Sequence, residues 1–200
     1  EEPMPINVRS EIGALEQVLL HRPGAELEQL VPGELERLLF DDIPYLRAAQ
    51  QEHDAFAALL RENGTQVVYL EKLMTQTLAV DPQVRRRFVR QFIDEGGRIA
   101  RHYQPALYDY LMALDDRELV RRTMTGVSVE EFLPESQQGA LVSMTRGSHR
   151  FVLDPIPNLY FTRDPFACIG HGVSLNAMYS ATRRRETIYG QYILKYHPDY

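Results

Sequence analysis

The segment LRAAQQEHDAFAALLRENGTQVVYL, residues 46–70, contains the pattern that decides the fold class. Apolar residues recur at spacings of three and four over its first part, which is typical of one face of a helix. The residues on this predicted face are Leu46, Ala49, His53, Phe56 and Leu60. Asn63 and Gly64 favour the end of the helix, and a Val-Val-Tyr run at residues 67–69 is typical of a strand. The segment therefore predicts a helix followed by a strand.

Upstream of this segment, Gln17 to Arg22 contains a short apolar run that Pro23 and Gly24 terminate. Such a run, bounded by turn residues, predicts a first strand. Residues 17–70 then have the order strand, helix, strand, which indicates an α/β unit.

Downstream, the pattern changes to helices without strand signals. Four helix starts are predicted there: at Pro82 after Asp81, at Pro105, after Asp115, and at the capping box of Ser128 with Glu131. We interpret residues 75–133 as an all-helical insertion in an α/β domain. The predicted division is therefore a first α/β module at 1–74, the insertion at 75–133 and a second α/β module at 134–200.

Strand signals return near the end of the chain. Three short strands are predicted at residues 159–161, 166–169 and 173–175, which would form a small antiparallel cluster. A last helix is predicted from Thr182 to Tyr196, with Arg183, Arg184 and Arg185 in its first turn. Positive charge opposes the helix dipole at that end, so at least one arginine is expected to serve another purpose.

The composition restricts the class of protein. The 200 residues are 44% hydrophobic and 25% charged, which is enough for a sizeable core. A net charge of −6 argues against nucleic acid or an anionic membrane as the main partner. No apolar run approaches the length of a membrane span, and the single cysteine cannot form an internal disulfide. A cytoplasmic protein is expected.

Metal and phosphate sites are not expected. The six histidines include no pair at i and i+4 and have no cysteine partner at zinc-ligand spacing: His21, His53, His102, His149, His171 and His197. No glycine loop suited to phosphate occurs, and no cofactor is expected. His53 lies on the apolar helix face, where a hydrogen-bonded core histidine is the simpler interpretation.

The most informative stretch for chemistry is PNLYFTRDP, residues 157–165, where an apolar run ends in polar residues before a proline. Arg163 and Asp164 fit a turn, because aspartate favours turns, yet polar residues at strand ends also build functional sites. Composition alone does not decide between a turn and a site there. Asp41 and Asp42, before Ile43 and Pro44, fit turn or cap residues.

Four stretches in order resemble the arginine deiminase family. They are SEIGALEQVLLHRPG (10–24), LLFDDIP (38–44), NLYFTRDP (158–165) and VSLNAMYSATRRRET (173–187). The resemblance implies a pentein fold, in which α/β modules surround a central site as a propeller, with a helical insertion after the first module. This chain would contain only part of that propeller. The LLFDDIP match implies that Asp41 and Asp42 support the floor of the pocket, as the alternative to turn or cap residues.

The resemblance also implies roles for five residues. Asp164 would be the catalytic carboxylate that holds the substrate guanidinium, because a carboxylate can bind two guanidinium nitrogens at once. Asn158 and Phe161 would line the pocket, Arg183 would bind the substrate carboxylate, and Leu39 would lie near the substrate.

The implied reaction hydrolyses L-arginine to L-citrulline and ammonia through a covalent cysteine intermediate. The family's nucleophilic cysteine and catalytic histidine fall after Tyr200, so the chain by itself is expected to be inactive. Cys168 lies four residues after Asp164 and is predicted to be a small buried hydrophobe, because its neighbours Ala167 and Ile169 are apolar. The complete protein is expected to be a homo-oligomer.

Two alternatives stay open at this stage. Dimethylarginine hydrolase and agmatine deiminase share the implied chemistry, although an arginine suited to an α-carboxylate favours L-arginine as the substrate. A different class is a non-catalytic binding or assembly module, or a truncated chain, which would expose faces that are normally buried and would associate.

Overall fold

The computed structural model describes residues 6–132 and 150–200. The predicted boundary at 133/134 and His149 lie outside the described residues. Within the described ranges, helices dominate, and the strands form three sheets of two strands each. The chain is therefore a mixed α/β protein, as the sequence predicts.

The predicted strand–helix–strand unit is confirmed. Strand β1 (Gln17–Leu20) and strand β2 (Gln66–Tyr69) pair in parallel, with Gln17 opposite Gln66. Helix α2 (Leu46–Glu62) connects them, as a parallel pair requires a crossover. Strand β1 ends two residues earlier than predicted.

Helix α2 is less well covered than its apolar pattern predicts. Ala57 is fully buried, but Phe56, which the pattern placed on the apolar face, is 52% exposed. The sheet below α2 has only two strands, so it covers a narrow stripe of the helix. His53 is half-buried against the ring of Tyr69, and its Nε2 has no hydrogen-bond partner, so the predicted hydrogen-bonded core histidine is wrong.

The segment between β1 and α2 contains two 3₁₀ turns, Leu27–Gln29 and Pro32–Glu34, and the short helix α1 (Leu35–Leu38). Leu27, Leu30 and Leu38 form a small core of their own under this segment. This packing fixes the position of the end of α1, where the Leu38 carbonyl accepts a hydrogen bond from Asn158 and the Arg37 carbonyl accepts one from Thr182.

A series of helices follows β2, as predicted. They are α3 (Leu70–Val80), α4 (Pro82–Asp94), α5 (Gly97–His102), α6 (Gln104–Met112), α7 (Asp116–Thr125) and α8 (Val129–Phe132). The predicted caps are confirmed, because the side chains of Asp81, Asp115 and Ser128 each accept a backbone N–H of the following helix. A short strand, β3 (Val127–Ser128), was not predicted there.

The strands of the last part of the chain are partly as predicted. Strand β4 (Phe151–Leu153) pairs antiparallel with β3. Strands β5 (Phe166–Ile169) and β6 (Gly172–Leu175) form the expected antiparallel hairpin. Gly170 turns it with φ 58°, a conformation that glycine adopts without strain.

The predicted strand at residues 159–161 is wrong, because Pro157–Tyr160 is a 3₁₀ helix. Pro157 occupies its first position, where a proline's fixed φ favours helical turns. The buried Asn158 side chain then bonds the backbone of α1, 120 residues away, which no local pattern reveals.

The last helix, α9, is Glu186–Tyr196. It begins four residues later than predicted, and Arg183 ends a separate 3₁₀ turn (Ala181–Arg183). The expectation of arginines in the first helical turn is therefore wrong. The first turn instead has Glu186, whose charge suits the helix dipole.

The main core joins α9 to the helices α3 to α7 and to β4. Its centre is a group of aromatic rings, with Phe88 and Phe92 of α4 against Tyr189 and Tyr192 of α9 at centroid distances of 5.4–6.0 Å. The buried Tyr189 hydroxyl is also hydrogen-bonded to Thr123 at 3.0 Å. Because α9 is anchored in this core, its first residue has a fixed position. Within residues 6–132 and 150–200, no helix is long and apolar enough to cross a membrane.

Candidate active site

Asp164 lies at the end of two successive turns that precede β5. Phe161 N–H donates to the Asn158 carbonyl at 3.0 Å, and Asp164 N–H donates to the Phe161 carbonyl at 3.1 Å. The Asp164 carbonyl in turn accepts the side-chain amide of Asn176 at 2.7 Å, across the β5–β6 hairpin. These bonds fix the backbone, while the carboxylate itself is 45% exposed.

Arg183 brings its guanidinium to this carboxylate from the other side. Its Nη1 donates to Asp164 Oδ2 at 2.8 Å, and its Nε and Nη2 donate to the two carboxylate oxygens of Glu186, each at 2.8 Å. The turn that contains Arg183 is tied to α1, because Thr182 Oγ1 donates to the Arg37 carbonyl at 3.0 Å. Two carboxylates therefore share one guanidinium.

The aromatic ring of Phe161 packs against the charged cluster. The guanidinium carbon of Arg183 lies 5.7 Å from the centroid of the Phe161 ring, a cation–π contact. The Phe161 ring also stacks at 4.1 Å on Tyr160, which packs edge-on against Phe40. The aromatic rings form an apolar wall beside the charges, and this lowers the local dielectric and strengthens charge pairing.

Burial affects the ionisation of this cluster. It raises the pKa of Glu186, and the neighbouring Arg183 only partly opposes that shift. Burial alone would lower the pKa of Arg183, but its bonds to Glu186 and Asp164 outweigh this and raise it. With both carboxylates ionised, the three side chains have one positive and two negative charges, which favours a cationic ligand.

Asn158 and Leu39 are linked to each other through α1, the helix that Thr182 ties to the turn of Arg183. Asn158 is buried and donates its side-chain amide to the Leu38 carbonyl at 2.9 Å. Leu39 follows directly, half-exposed and with φ 63°, a left-handed conformation that is costly for a leucine. The bond from Asn158 to Leu38 helps to fix the backbone directly before this strained residue.

The structure thus brings Phe161, Asp164 and Arg183 into contact with one another. Their roles as substrate contacts, and those of Asn158 and Leu39, stay predictions. Sequence reasoning missed Glu186, the third charged member. Its signal was present, because Glu186 follows Arg183 by three residues, a spacing that places two side chains together in helical turns.

Asp41 and Asp42 are exposed, and Asp42 accepts the backbone N–H of Ile43 at 2.7 Å. This local bond matches the alternative in which these aspartates are turn residues. The structure gives no contact between these aspartates and the charged cluster.

Cys168 differs from its prediction as a buried hydrophobe, because it is exposed. It lies on β5 opposite Val173, beside a groove of about 740 Å³ that the N-terminal segment also lines. The two-stranded hairpin has α9 on one side, which leaves part of its surface uncovered. Although the residue is exposed, desolvation of its thiol raises the pKa, which disfavours the nucleophilic thiolate.

A metal centre is not formed by the part of the chain that the structure describes. Across residues 6–132 and 150–200, no three side chains of His, Cys, Asp or Glu are placed to bind one metal ion.

Fold and site together define the class: a mixed α/β protein with a partly buried cluster of one guanidinium and two carboxylates. The family model described as "Arginine deiminase" matches residues 36–200, and the chain belongs to the arginine deiminase family. It is 53% identical to an arginine deiminase of Treponema denticola over 196 residues, which are 98% of this chain and 48% of that protein.

An arginine deiminase of Streptococcus pyogenes is also 53% identical, over 199 residues, with 98% of this chain and 48% of the relative covered. One of Streptococcus gordonii is 52% identical with the same coverage. The chain therefore spans about half the length of the curated relatives that it matches.

Proposed function

We propose that this chain is part of an arginine deiminase, which hydrolyses L-arginine to L-citrulline and ammonia through a covalent cysteine intermediate, and that it supplies part of the substrate site. The convergence of Asp164, Arg183 and Phe161 is the observation that supports this most directly. Membership of the arginine deiminase family supports the same reaction.

The charges of the site match those of L-arginine. A free arginine has a permanently positive guanidinium at one end and a carboxylate at the other. It can therefore replace the internal pair of Asp164 and Arg183, joined at 2.8 Å, by two new pairs of the same type. The α-carbon and three methylene groups separate the ends of the substrate, so the partly exposed Asp164 side chain must move away from Arg183 when arginine binds both.

The same charges favour arginine over related guanidines. Agmatine has the guanidinium but no carboxylate, so after it takes Asp164 it would offer no acceptor to Arg183 Nη1, the nitrogen that Asp164 had bound. A buried hydrogen-bond donor left unpaired is costly, and this is the strongest basis for discrimination between similar ligands.

We propose that the bond-breaking groups, a nucleophilic cysteine and a histidine, belong to polypeptide outside these 200 residues. The raised pKa of the Cys168 thiol argues against it as the nucleophile. On this basis the 200 residues by themselves do not form citrulline.

The proposal includes a larger architecture. Residues 75–133 would be a helical insertion between α/β modules at 1–74 and 134–200, and these modules would form part of a pentein propeller. The complete protein would be a cytoplasmic homo-oligomer that requires no cofactor.

The test is citrulline and ammonia formation by the complete polypeptide, with L-arginine, agmatine and dimethylarginine compared as substrates. We expect equal amounts of citrulline and ammonia, with arginine as the preferred substrate. Faster turnover of agmatine than of arginine would contradict arginine as the proposed substrate. Citrulline formation by the 200-residue chain alone would contradict the assignment of the nucleophile to another segment.

A further inference from the structure

Glu186 is more deeply buried than a glutamate in the first turn of a helix needs to be. Acidic residues at the start of a helix gain from the dipole while they remain in water. The Glu186 side chain is instead fully buried at the start of α9. Burial of a carboxylate costs free energy unless the carboxylate is hydrogen-bonded. Glu186 therefore needs a hydrogen-bond partner that stays in place.

That partner is Arg183, which Glu186 binds in a bidentate manner. Arg183 Nε and Nη2 each donate at 2.8 Å to a different oxygen of Glu186. A planar guanidinium held by two parallel bonds cannot rotate, so the direction of its third nitrogen, Nη1, is also fixed. Nη1 is the nitrogen that donates to Asp164.

The two carboxylates do not hold Arg183 equally. Asp164 accepts one hydrogen bond from Arg183 and is 45% exposed, whereas Glu186 accepts two and is fully buried. Burial raises the pKa of Glu186, so its charge depends on the bond to Arg183. When a ligand competes for Asp164, we expect Arg183 to stay with Glu186.

We propose that Glu186 is a positioning residue that keeps Arg183 directed at the carboxylate of the substrate, and so sets the preference for guanidines that have an α-carboxylate. This inference rests on the proposed function. Once a substrate guanidinium takes Asp164, Arg183 Nη1 loses that acceptor and can donate to the carboxylate at the other end of the substrate. Glu186 itself would touch neither the substrate nor the reacting atoms.

The test uses the complete enzyme with Glu186→Gln, a change that keeps the size of the side chain. The new amide group meets a donor nitrogen of Arg183, so one of the two bonds is lost. We expect the KM for arginine to rise by about 10–100-fold, the effect of one charge-assisted hydrogen bond. The inhibition constant of agmatine, measured against arginine, should change by less than about threefold, because agmatine offers Arg183 no carboxylate.

A matched control is Glu34→Gln. Glu34 is also a buried carboxylate with an arginine three residues later, and Arg37 donates to it at 3.1 Å. The Glu34→Gln variant should be less stable than the wild type, and its preference for arginine over agmatine should be unchanged. An equal change of preference in both variants, or an equal loss of both ligands in Glu186→Gln, would contradict the positioning role.

If Glu186→Gln does not fold, Glu186→Asp provides the same test, because it keeps the buried charge and retracts it by one methylene. Its preference for arginine should fall by about 3–10-fold, and an unchanged preference would contradict the inference. A wild-type enzyme that forms no citrulline would contradict the proposed function itself. An active wild type whose preference no Glu186 variant alters would contradict only the role of Glu186.

Discussion

Helix α9 connects two regions that are stabilised in different ways. Its interior residue Tyr189 packs among the rings of Phe88 and Phe92. Its first residue, Glu186, is held by Arg183 through two hydrogen bonds. Apolar burial depends on the area removed from water and has no direction, whereas the charged cluster depends on individual atoms. A substitution should therefore affect stability in the aromatic core and recognition in the cluster.

The largest effect is expected for Phe88→Ala in the aromatic core. Phe88 is fully buried and contacts three aromatic rings, so its removal leaves a cavity. We expect the free energy of unfolding to fall by about 3–5 kcal/mol, measured by urea denaturation. Phe56→Ala, at a phenylalanine that is 52% exposed, is the matched control and should cost less than about 1 kcal/mol. Equal losses would mean that the aromatic core does not dominate stability.

The next effect is expected for Asp164→Asn in the charged cluster. The variant loses the charge proposed to hold the substrate guanidinium, so kcat/KM for arginine in the complete enzyme should fall by at least about 100-fold. Its unfolding free energy should change by less than about 1 kcal/mol, because the Asp164 side chain is partly exposed and such ion pairs contribute little.

The control for this variant is Asp54→Asn. Asp54 also binds an arginine, accepting two hydrogen bonds from Arg22 at 2.7 and 2.8 Å on the exposed surface of α2. Its activity should match that of the wild type. A similar loss of activity in Asp54→Asn would show that any broken surface ion pair impairs the enzyme, and the comparison between the two regions would fail.

A smaller effect is expected for Asp115→Ala, at the start of α7. The Asp115 carboxylate accepts the Glu118 backbone N–H at 2.8 Å, so alanine leaves that donor without its cap. We expect a loss of about 1 kcal/mol in unfolding free energy, with unchanged kcat and KM. Asp81→Ala, at the equivalent position of α4, should give a similar value. A reduced turnover in either variant would indicate coupling between the helical region and the site.

The elements that the sequence predicted correctly are those with local signals. The strand–helix–strand unit follows from apolar periodicity, and the helix starts follow from capping residues that lie two or three positions from their partners. The β5–β6 hairpin has its turn glycine and its apolar runs within ten residues. In the caps and the hairpin the stabilising partner lies nearby in the chain, whereas β1 and β2 pair with Gln17 opposite Gln66 and were predicted from the apolar run of each strand.

The elements that were missed depend on distant partners. Asn158 lies in the 3₁₀ helix that stands where a strand was predicted, and it bonds the backbone of α1, 120 residues away. Arg183 was assigned to the first turn of α9, because its partner Asp164 lies 19 residues away and periodicity alone does not pair the two. The resemblance to arginine deiminases named Asp164 and Arg183 as site residues but gave no account of Glu186.

The smallest effect is expected for Cys168→Ser in the complete enzyme. Cys168 is the only cysteine of this chain and lies on β5 opposite Val173, beside the groove next to the N-terminal segment. Turnover of arginine should stay within about threefold of the wild type, because a thiol with a raised pKa has little thiolate near neutral pH. Serine matches the size of cysteine, and the exposed position leaves its hydroxyl access to water, so stability should change little. Complete loss of turnover with an unchanged unfolding free energy would identify Cys168 as the nucleophile and would place the bond-breaking step within these 200 residues.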